Sequence, residues 1–584
     1  MTNARKIVLK DLGLIALVFG VLFFSMNGVR PLDNPDEGRY TEIPREMLES
    51  GDFVSPRLNG VLYFEKPPLF YWLQATALKV GGINERSSRF WPAAFALLGC
   101  LVTYLGGRSI FGRQSGFLGS MILGTSFLYF ALSQVVILDM VVSVIISAAL
   151  LVFLICVRQE PGRKRYFLSL CFFTLLALAT MTKGLIGLVI PCAVIFIWSL
   201  ILNKWKALWP FYPLSGIVLF LAIAGPWHIL AWKANPEFAW FYFVNEHFLR
   251  YLTPDHGRVQ PFWFFFAILP VVLFPWIGFC FQAMVRPLTG GWRSIRERSD
   301  HLFLIIWILF TLLFFSASDS KLIPYILPLL PAFALLIGDL LSNARGKKGS
   351  VNLKAGTYVF IGGALLLAIA LPILAIDRGE RAAPNALAWS IAGSSVLFIG
   401  AIITLVVVRK DSGLTLLAIP FSTMFVFYLV FNPLGSAIRN NSTKSIALAL
   451  KELSVPSAQV YSLLDYHQDL VPYLGGKVSV AACEPDEQTF GYSLEEQPAR
   501  WLSEYEYMKE WDDLLPQFAI SKKEKAEVFA SEHPTWRAHV VMESNRYVLL
   551  TNQSGTALLQ LDKVPLLASK TDDRSVPPQL EIPR

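Results

Sequence analysis

Apolar runs about twenty residues long recur along most of this chain, and that repetition restricts its fold more than any other feature. They fall near residues 8–27, 90–107, 115–134, 138–157, 166–182, 184–202, 209–230, 261–284, 302–317, 322–341, 356–376, 386–408 and 413–432. Each is close to the length that crosses a bilayer as a helix. Lipid offers backbone groups no hydrogen-bond partner, so such segments form helices or a closed barrel. The runs lack the apolar/polar alternation of barrel strands, which leaves helices. With 54% hydrophobic and 16% charged residues, the composition excludes an ordinary soluble enzyme.

The net charge of +8 is a topology signal, because the basic residues gather in short loops. Arg108/Arg113, Arg158/Arg163/Lys164/Arg165, Lys204/Lys206, Arg286/Arg293/Arg296/Arg298, Arg345/Lys347/Lys348 and Arg409/Lys410 occupy alternate loops. The positive-inside rule places these loops and the N-terminus in the cytoplasm. The first long loop, the 233–260 loop and the C-terminal tail then share the opposite side. The first run follows Arg5, Lys6 and Lys10, exceeds a signal-peptide core and lacks a small-residue cleavage site, so it reads as a retained span. Five of the six cysteines lie in or beside apolar runs and only Cys483 in the polar tail, which gives no disulfide framework or CxxC metal site.

Residues 1–435 read as the membrane domain, containing a first extracytoplasmic loop at 28–89 and a second polar loop at 233–260. Residues 436–568 read as a soluble α/β domain. Ser442 to Leu453 has helical spacing, and Gln459 to Leu463, Lys477 to Val480 and Tyr547 to Leu550 read as strands. The Pro-rich, charged stretch 569–584 reads as disordered.

The first loop carries Asn34-Pro35-Asp36-Glu37-Gly38-Arg39-Tyr40 and, thirty residues later, Tyr63-Phe64-Glu65-Lys66-Pro67-Pro68. Asn34 is placed to cap a helix opening at Pro35, with Glu37 completing a capping box and Gly51 ending it. Pro44 is expected to kink it. Tyr40, Ile43, Met47 and Leu48 give that helix one apolar face. A second short helix, Pro67 to Lys79, is rich in aromatics. Both fit helices lying on a membrane surface. Asp36 and Glu37 in a first turn are stabilised as carboxylates by the helix dipole. Lys66 is suited to neutralising a phosphate partly withdrawn from water. The bland alternative is that the acids cap a helix and Glu65-Lys66 is a solvated pair.

The D-E-x-R-Y and Y-F-E-K-P patterns resemble those of the bacterial lipid A aminoarabinose transferases. More broadly they resemble the protein O-mannosyltransferase-like GT-C glycosyltransferases, which take sugars from polyprenyl-phosphate carriers. The resemblance implies a mainly α, polytopic GT-C membrane protein with about 13 transmembrane helices. It also implies two membrane-surface helices in the first periplasmic loop and a small C-terminal α/β periplasmic domain. Such a protein sits in the bacterial inner membrane and acts on a polyprenyl-phosphate sugar donor and lipid A, or another periplasmic acceptor, with no nucleic acid involved. Asp36, with Glu37, would be the acid nearest the transferred sugar, and Asp139 a second acidic position. Arg39, Tyr40, Tyr63, Lys66 and Arg86 are candidates for binding carrier phosphate or substrate.

The second loop supplies Glu246, His247, Arg250, His256 and Arg258. There the family's adjacent His-Arg pair is interrupted by Gly257. Arg250 and Arg258 are candidates for pairing with phosphate. Glu65 with His247 or His256 has the ligand types of a divalent-metal site, but the loop spacing does not specify one, and no cofactor is assigned. Lys321 and Tyr325, in a Lys-Leu-x-x-Tyr-Ile-Leu-Pro run, match a segment near the carrier lipid. Two other readings stay open: a GT-C transferase acting on protein hydroxyls or another glycan, and a lipid or anion transporter. The transporter predicts charges deep in the spans, where Asp139 and Lys183 are the chief examples, and discontinuous helices near mid-bilayer.

Overall fold

The structure is a computed structural model describing residues 3–208, 211–249, 259–344, 353–379, 386–409, 415–438, 441–453, 458–494, 501–513, 515–544 and 546–558. The chain divides into two compact units, and the first loop is shared between them.

The first unit comprises Met1–Arg30, Phe64–Leu73 and Arg86–Ala437. Among the described residues, nine helices are long and apolar enough to cross a membrane, or eleven if each of two bent pairs is one crossing. Ile186–Leu202 is a shorter apolar helix, and Thr415–Ile438 is a further apolar helix of 24 residues. Each apolar run in the sequence coincides with one of these elements, but two runs bend and one forms a helix of only 17 residues, so the runs are not 13 straight spans. The bends have local causes. Between Arg113–Gly124 and Phe127–Ser133, which meet at 63°, the hydroxyls of Thr125 and Ser126 donate back to the carbonyls of Met121 and Ile122. Such bonds compete with the helical ladder. Between Phe264–Val272 and Ile277–Leu288, at 113°, Pro275 has no N–H with which to continue the helix.

Small residues bring helices of this unit together. A Cβ on Gly116 would lie 2.5 Å from the Tyr104 carbonyl oxygen, and one on Gly338 would lie 2.6 Å from the Gly119 nitrogen. Lipid tails are as apolar as leucine, so this close contact is what holds such helices to one another.

The second unit comprises Pro31–Tyr63, Gln74–Glu85 and Ile438–Arg584. Its core is a six-stranded sheet built from β3 (Gln459–Leu463), β4 (Ser479–Ala481), β5 (Trp501–Leu502), β6 (Gln517–Lys522), β7 (His539–Glu543) and β8 (Tyr547–Thr551), in the order β5-β4-β3-β6-β8-β7. β5, β4, β3 and β6 run parallel, while β8 and β7 complete an antiparallel edge. Alternate side chains feed two cores, as a sheet covered on both faces requires. Tyr461, Leu463, Val548 and Leu550 pack with Trp511 and Phe529, whereas Phe518, Ile520 and Leu549 pack with Ile446 and Leu470.

Two parts of the first loop belong to this unit. The hairpin of β1 (Arg57–Leu58) and β2 (Val61–Leu62) is fastened by Asn59, whose amide donates to the Val478 carbonyl (2.8 Å) and accepts from its N–H (3.1 Å). The helix Asp36–Ser50 is buried from Glu37 to Met47. That corrects the expectation of an amphipathic helix with one wet face. Its charges are satisfied internally instead: Arg45 makes a two-pronged pair with Glu42, both contacts at 2.7 Å, and Glu46 accepts from the Gly60 N–H. Burial pushes the Glu42 carboxyl up to about 8, against the pull of Arg45.

Asn34 does not cap this helix. Its Oδ1 accepts the Gln468 N–H (2.9 Å), and Glu37 Oε2 accepts from the Asp33 N–H, so the acidic half of the box closes one residue early. The helix runs on through Pro44 and stops at Gly51, which is left-handed at φ 73.

At Gly38 this helix lies close against the loop after β3. A Cβ there would sit 2.3 Å from the Asp469 nitrogen, a backbone atom with nowhere to go. Gly38→Ala is therefore expected to cost the second unit at least about 2 kcal/mol, read as a lowered denaturation midpoint of the purified protein. An unchanged midpoint would mean the contact is slack.

Candidate active site

Within the second unit, Asp36 opens its helix with its side chain 58% exposed, as a residue that meets substrate must be. Arg39 Nη1 lies 3.7 Å from Asp36 Oδ1, too far for a close pair. The Arg39 guanidinium is otherwise committed: its Nε donates to Gln468 Oε1 (2.9 Å), its Nη2 pairs with Glu487, and it sits 5.7 Å from the centre of the Tyr63 ring. Tyr40 and Tyr63 are buried. Glu37 is buried too and turned back on the Asp33 amide, an arrangement that suits a capping residue more than a catalyst.

Within the first unit, Lys66 stands before two prolines that open the helix Leu69–Gly81. Its Nζ donates to the Glu65 carbonyl (2.7 Å) and to Glu246 Oε2 (2.9 Å), with Glu65 Oε2 at 3.9 Å. Glu246 lies on a π-helical stretch, Phe241–Leu249, a form that tends to mark functional positions. An edge-on contact between Phe64 and Phe238, 5.0 Å between centroids, ties the two segments together. An anion arriving at Lys66 has to compete with Glu246.

Asp139 begins the helix Asp139–Val157 and Lys183 ends the helix Arg163–Lys183, each at the terminus whose dipole favours its charge. The two pair directly, and Lys183 Nζ lies 4.7 Å above the Tyr325 ring. The structure thus brings Asp139 and Tyr325 together through a lysine that the sequence reading had weighed only as a charge within the spans. Both side chains of the pair are mostly buried, at 14% and 17% exposed. Removing either partner strands the other, so Asp139→Asn and Lys183→Met should each cost about 2–3 kcal/mol, and the double variant less than their sum. Additive losses in a denaturation cycle would mean the contact carries no coupling.

Lys321 is buried, donating to the carbonyls of Gln260 (2.7 Å) and Ser318. Burial holds its ammonium below the usual lysine range, with Asp319 opposing. It joins backbone segments, as does the bridge between Val259 and Ser320. Arg86 is exposed and lies across Gly28. Arg89 is instead the buried arginine, donating to the carbonyls of Asn27 and Arg30.

Arg250, His256 and Arg258 lie outside the described residues, as does the His247 side chain. Among the described residues no group of three or more His, Cys, Asp or Glu could hold a metal ion. Sequence reasoning named Glu246 without giving it a role, and it missed Gln468 and Glu487. Glu246 was visible as an acid beside the second-loop histidines, but the other two lie more than 420 residues from Arg39 and carry no local signal.

The chain thus combines apolar, partly bent helices, a first loop rich in acids and bases, and an α/β unit, the parts of a multi-pass membrane protein. A family model described as dolichyl-phosphate-mannose-protein mannosyltransferase matches residues 23–289. A curated relative from Yersinia enterocolitica, undecaprenyl phosphate-alpha-4-amino-4-deoxy-L-arabinose arabinosyl transferase, is 30% identical over 368 residues. That match covers 63% of this chain and 65% of the relative. The chain spans slightly less than two thirds of the length of the curated relatives it matches.

Among solved structures, ArnT from Cupriavidus metallidurans in the apo state matches with a TM-score of 0.81 at 25% identity, over 95% of this chain and 99% of that one. The same protein bound to undecaprenyl phosphate matches at 0.80, over 92% and 97%. The fold of this chain is thus similar to that of these solved structures, and its sequence to that of the curated aminoarabinose transferases.

Proposed function

We propose that the protein is an integral-membrane glycosyltransferase that moves one sugar from a polyprenyl-phosphate carrier to a phosphate of lipid A. The observation that carries this reading is the match, over nearly the full length of both chains, to a transferase fold solved with undecaprenyl phosphate. The curated relatives are named for transfer of 4-amino-4-deoxy-L-arabinose, and this supports that sugar as the group transferred. In this reading the thirteen apolar segments cross the bacterial inner membrane, and the loop helices and C-terminal domain lie in the periplasm.

Lys66 neutralises the carrier phosphate. An acceptor phosphate oxygen attacks the anomeric carbon, the bond from that carbon to the carrier oxygen breaks, and the carrier leaves as a phosphate monoester. The acceptor needs no deprotonation, since a phosphate monoester already carries about 1.5–2 negative charges at neutral pH. Placement and charge neutralisation then supply most of the acceleration. Asp36 stabilises positive charge that builds on the sugar ring or orients the acceptor. Asp139, with Lys183 and Tyr325, lines the carrier's path. The acidic partners of Lys66 and Lys183 give these cations somewhere to rest between turnovers.

The family description of protein mannosyl transfer favours a second reading with the same roles and protein hydroxyls as acceptor. A transporter is less supported: two helix pairs bend, but the charges it would need deep in the spans, Asp139 and Lys183, lie at helix ends and pair with each other. Membranes containing the protein, supplied with polyprenyl-phosphate-linked radiolabelled sugar, should pass label to lipid A. Label appearing in protein instead would select the second reading, and label remaining on the carrier would count against both.

A further inference from the structure

The parallel strands of an open α/β sheet end at the edge where such folds place function. In the second unit that edge is turned on the chain's own first loop. Gln468 lies in the loop after β3, and Glu487 in the short helical turn Asp486–Gln488 beyond β4, the strand beside β3. Both reach Arg39, through Nε at 2.9 Å and through Nη2.

The backbone on the other side of Asp36 is tied to the same region. Gln468 N–H donates to Asn34 Oδ1 (2.9 Å), Asn441 Nδ2 donates to the Asn34 carbonyl (2.8 Å), and the Leu32 N–H donates to the Tyr473 hydroxyl (2.7 Å). Gly38 admits the Gln468–Asp469 backbone against the helix. Asp36 therefore sits in a span of chain gripped at residues 32, 34, 38 and 39.

We infer that Gln468 and Glu487 are positioning residues for transfer: they fix the Arg39 guanidinium, and through it the place and partnering of Asp36. This rests on the reading of Asp36 as the catalytic carboxylate. A guanidinium is a planar fork with five donors, so two acceptors set at its Nε and Nη2 dictate where Nη1 points. Here Nη1 stands 3.7 Å from Asp36. Glu487 has a further effect, since a second carboxylate, at Nη2, competes with Asp36 for Arg39. Without Glu487, the cation is free to close on Asp36 and occupy the group that should meet the sugar. The C-terminal domain thereby acts on the reaction without touching substrate.

The test uses the full-length protein in membranes and compares Gln468→Leu, Gln468→Glu, Glu487→Leu and Asp36→Asn. The inference expects kcat to fall at least tenfold in both leucine variants, with KM for the polyprenyl-phosphate donor within twofold of the parent. Gln468→Glu, which keeps an acceptor for Arg39 Nε, should return kcat to within threefold. Wild-type kcat in the leucine variants, with Asp36→Asn inactive, would overturn the inference while leaving Asp36 in its role. A leucine variant whose lost kcat tracks a lost fold, and which Gln468→Glu does not rescue, would reduce the contact to scaffolding and overturn it too. Full activity in Asp36→Asn would remove the catalytic reading, and this inference with it.

Discussion

Asp36→Asn should lower sugar transfer at least about 100-fold and leave the folded protein intact. The size follows from what a preorganised charge beside a developing opposite charge contributes to a reaction of this kind. The intact fold is expected from the 58% exposure of the side chain, which leaves the contacts it makes, the 3.7 Å one with Arg39 included, accessible to water. Transfer kinetics and a denaturation midpoint measured on one preparation check both halves. Equal loss of activity and stability would mean that Asp36 is a fold residue. Unchanged activity would leave the carboxylate without a role. Glu37→Gln makes the contrast, since Glu37 is buried against the Asp33 amide and should lose stability first.

The second large effect is expected at Lys66. Lys66→Ala removes the ammonium that lies between Glu65 and Glu246 and leaves two mostly buried acids facing each other. Transfer should fall about 100-fold or more, and the donor KM should rise, because the phosphate loses the ammonium and still meets the carboxylates of Glu65 and Glu246. Lys66→Arg keeps the charge and should recover part of the loss, although a fork does not fit a point-charge site well. Glu246→Gln tests the competition directly. Removing the resident carboxylate should lower the donor KM if Lys66 binds the carrier phosphate. A raised KM in that variant would show that Glu246 holds Lys66 in its working place, and binding to labelled polyprenyl phosphate would separate the two outcomes.

The helical part of this fold was legible because lipid imposes a single demand, backbone self-sufficiency, that any long apolar run displays. The tail was legible for another reason. Gln459 to Leu463 and Tyr547 to Leu550 are short apolar runs bounded by turn residues, and both appear as strands, the second one residue longer. The loop was read correctly as two helices and misjudged in its surroundings. Periodicity reports that Tyr40, Ile43 and Met47 share a face, but not that Glu42, Arg45 and Glu46 find partners which let the opposite face be buried as well. Ion pairs and glycine contacts between residues 38 and 469 are events of tertiary structure, and no window of sequence contains them. Lys183 shows the same limit: a charge at the end of an apolar run looks costly until its aspartate appears forty-four positions away.

The division of the first loop bears on any attempt to rebuild this molecule from parts. The polypeptide passes from one unit to the other at five junctions, 30/31, 63/64, 73/74, 85/86 and 437/438. A cut near residue 438 would strip the Asp36–Ser50 helix of Gln468, Asp469 and Glu487, leaving buried charges with no home. Chimeras that exchange the tail between homologues should therefore exchange Pro31–Tyr63 and Gln74–Glu85 along with it, as one interwoven cassette.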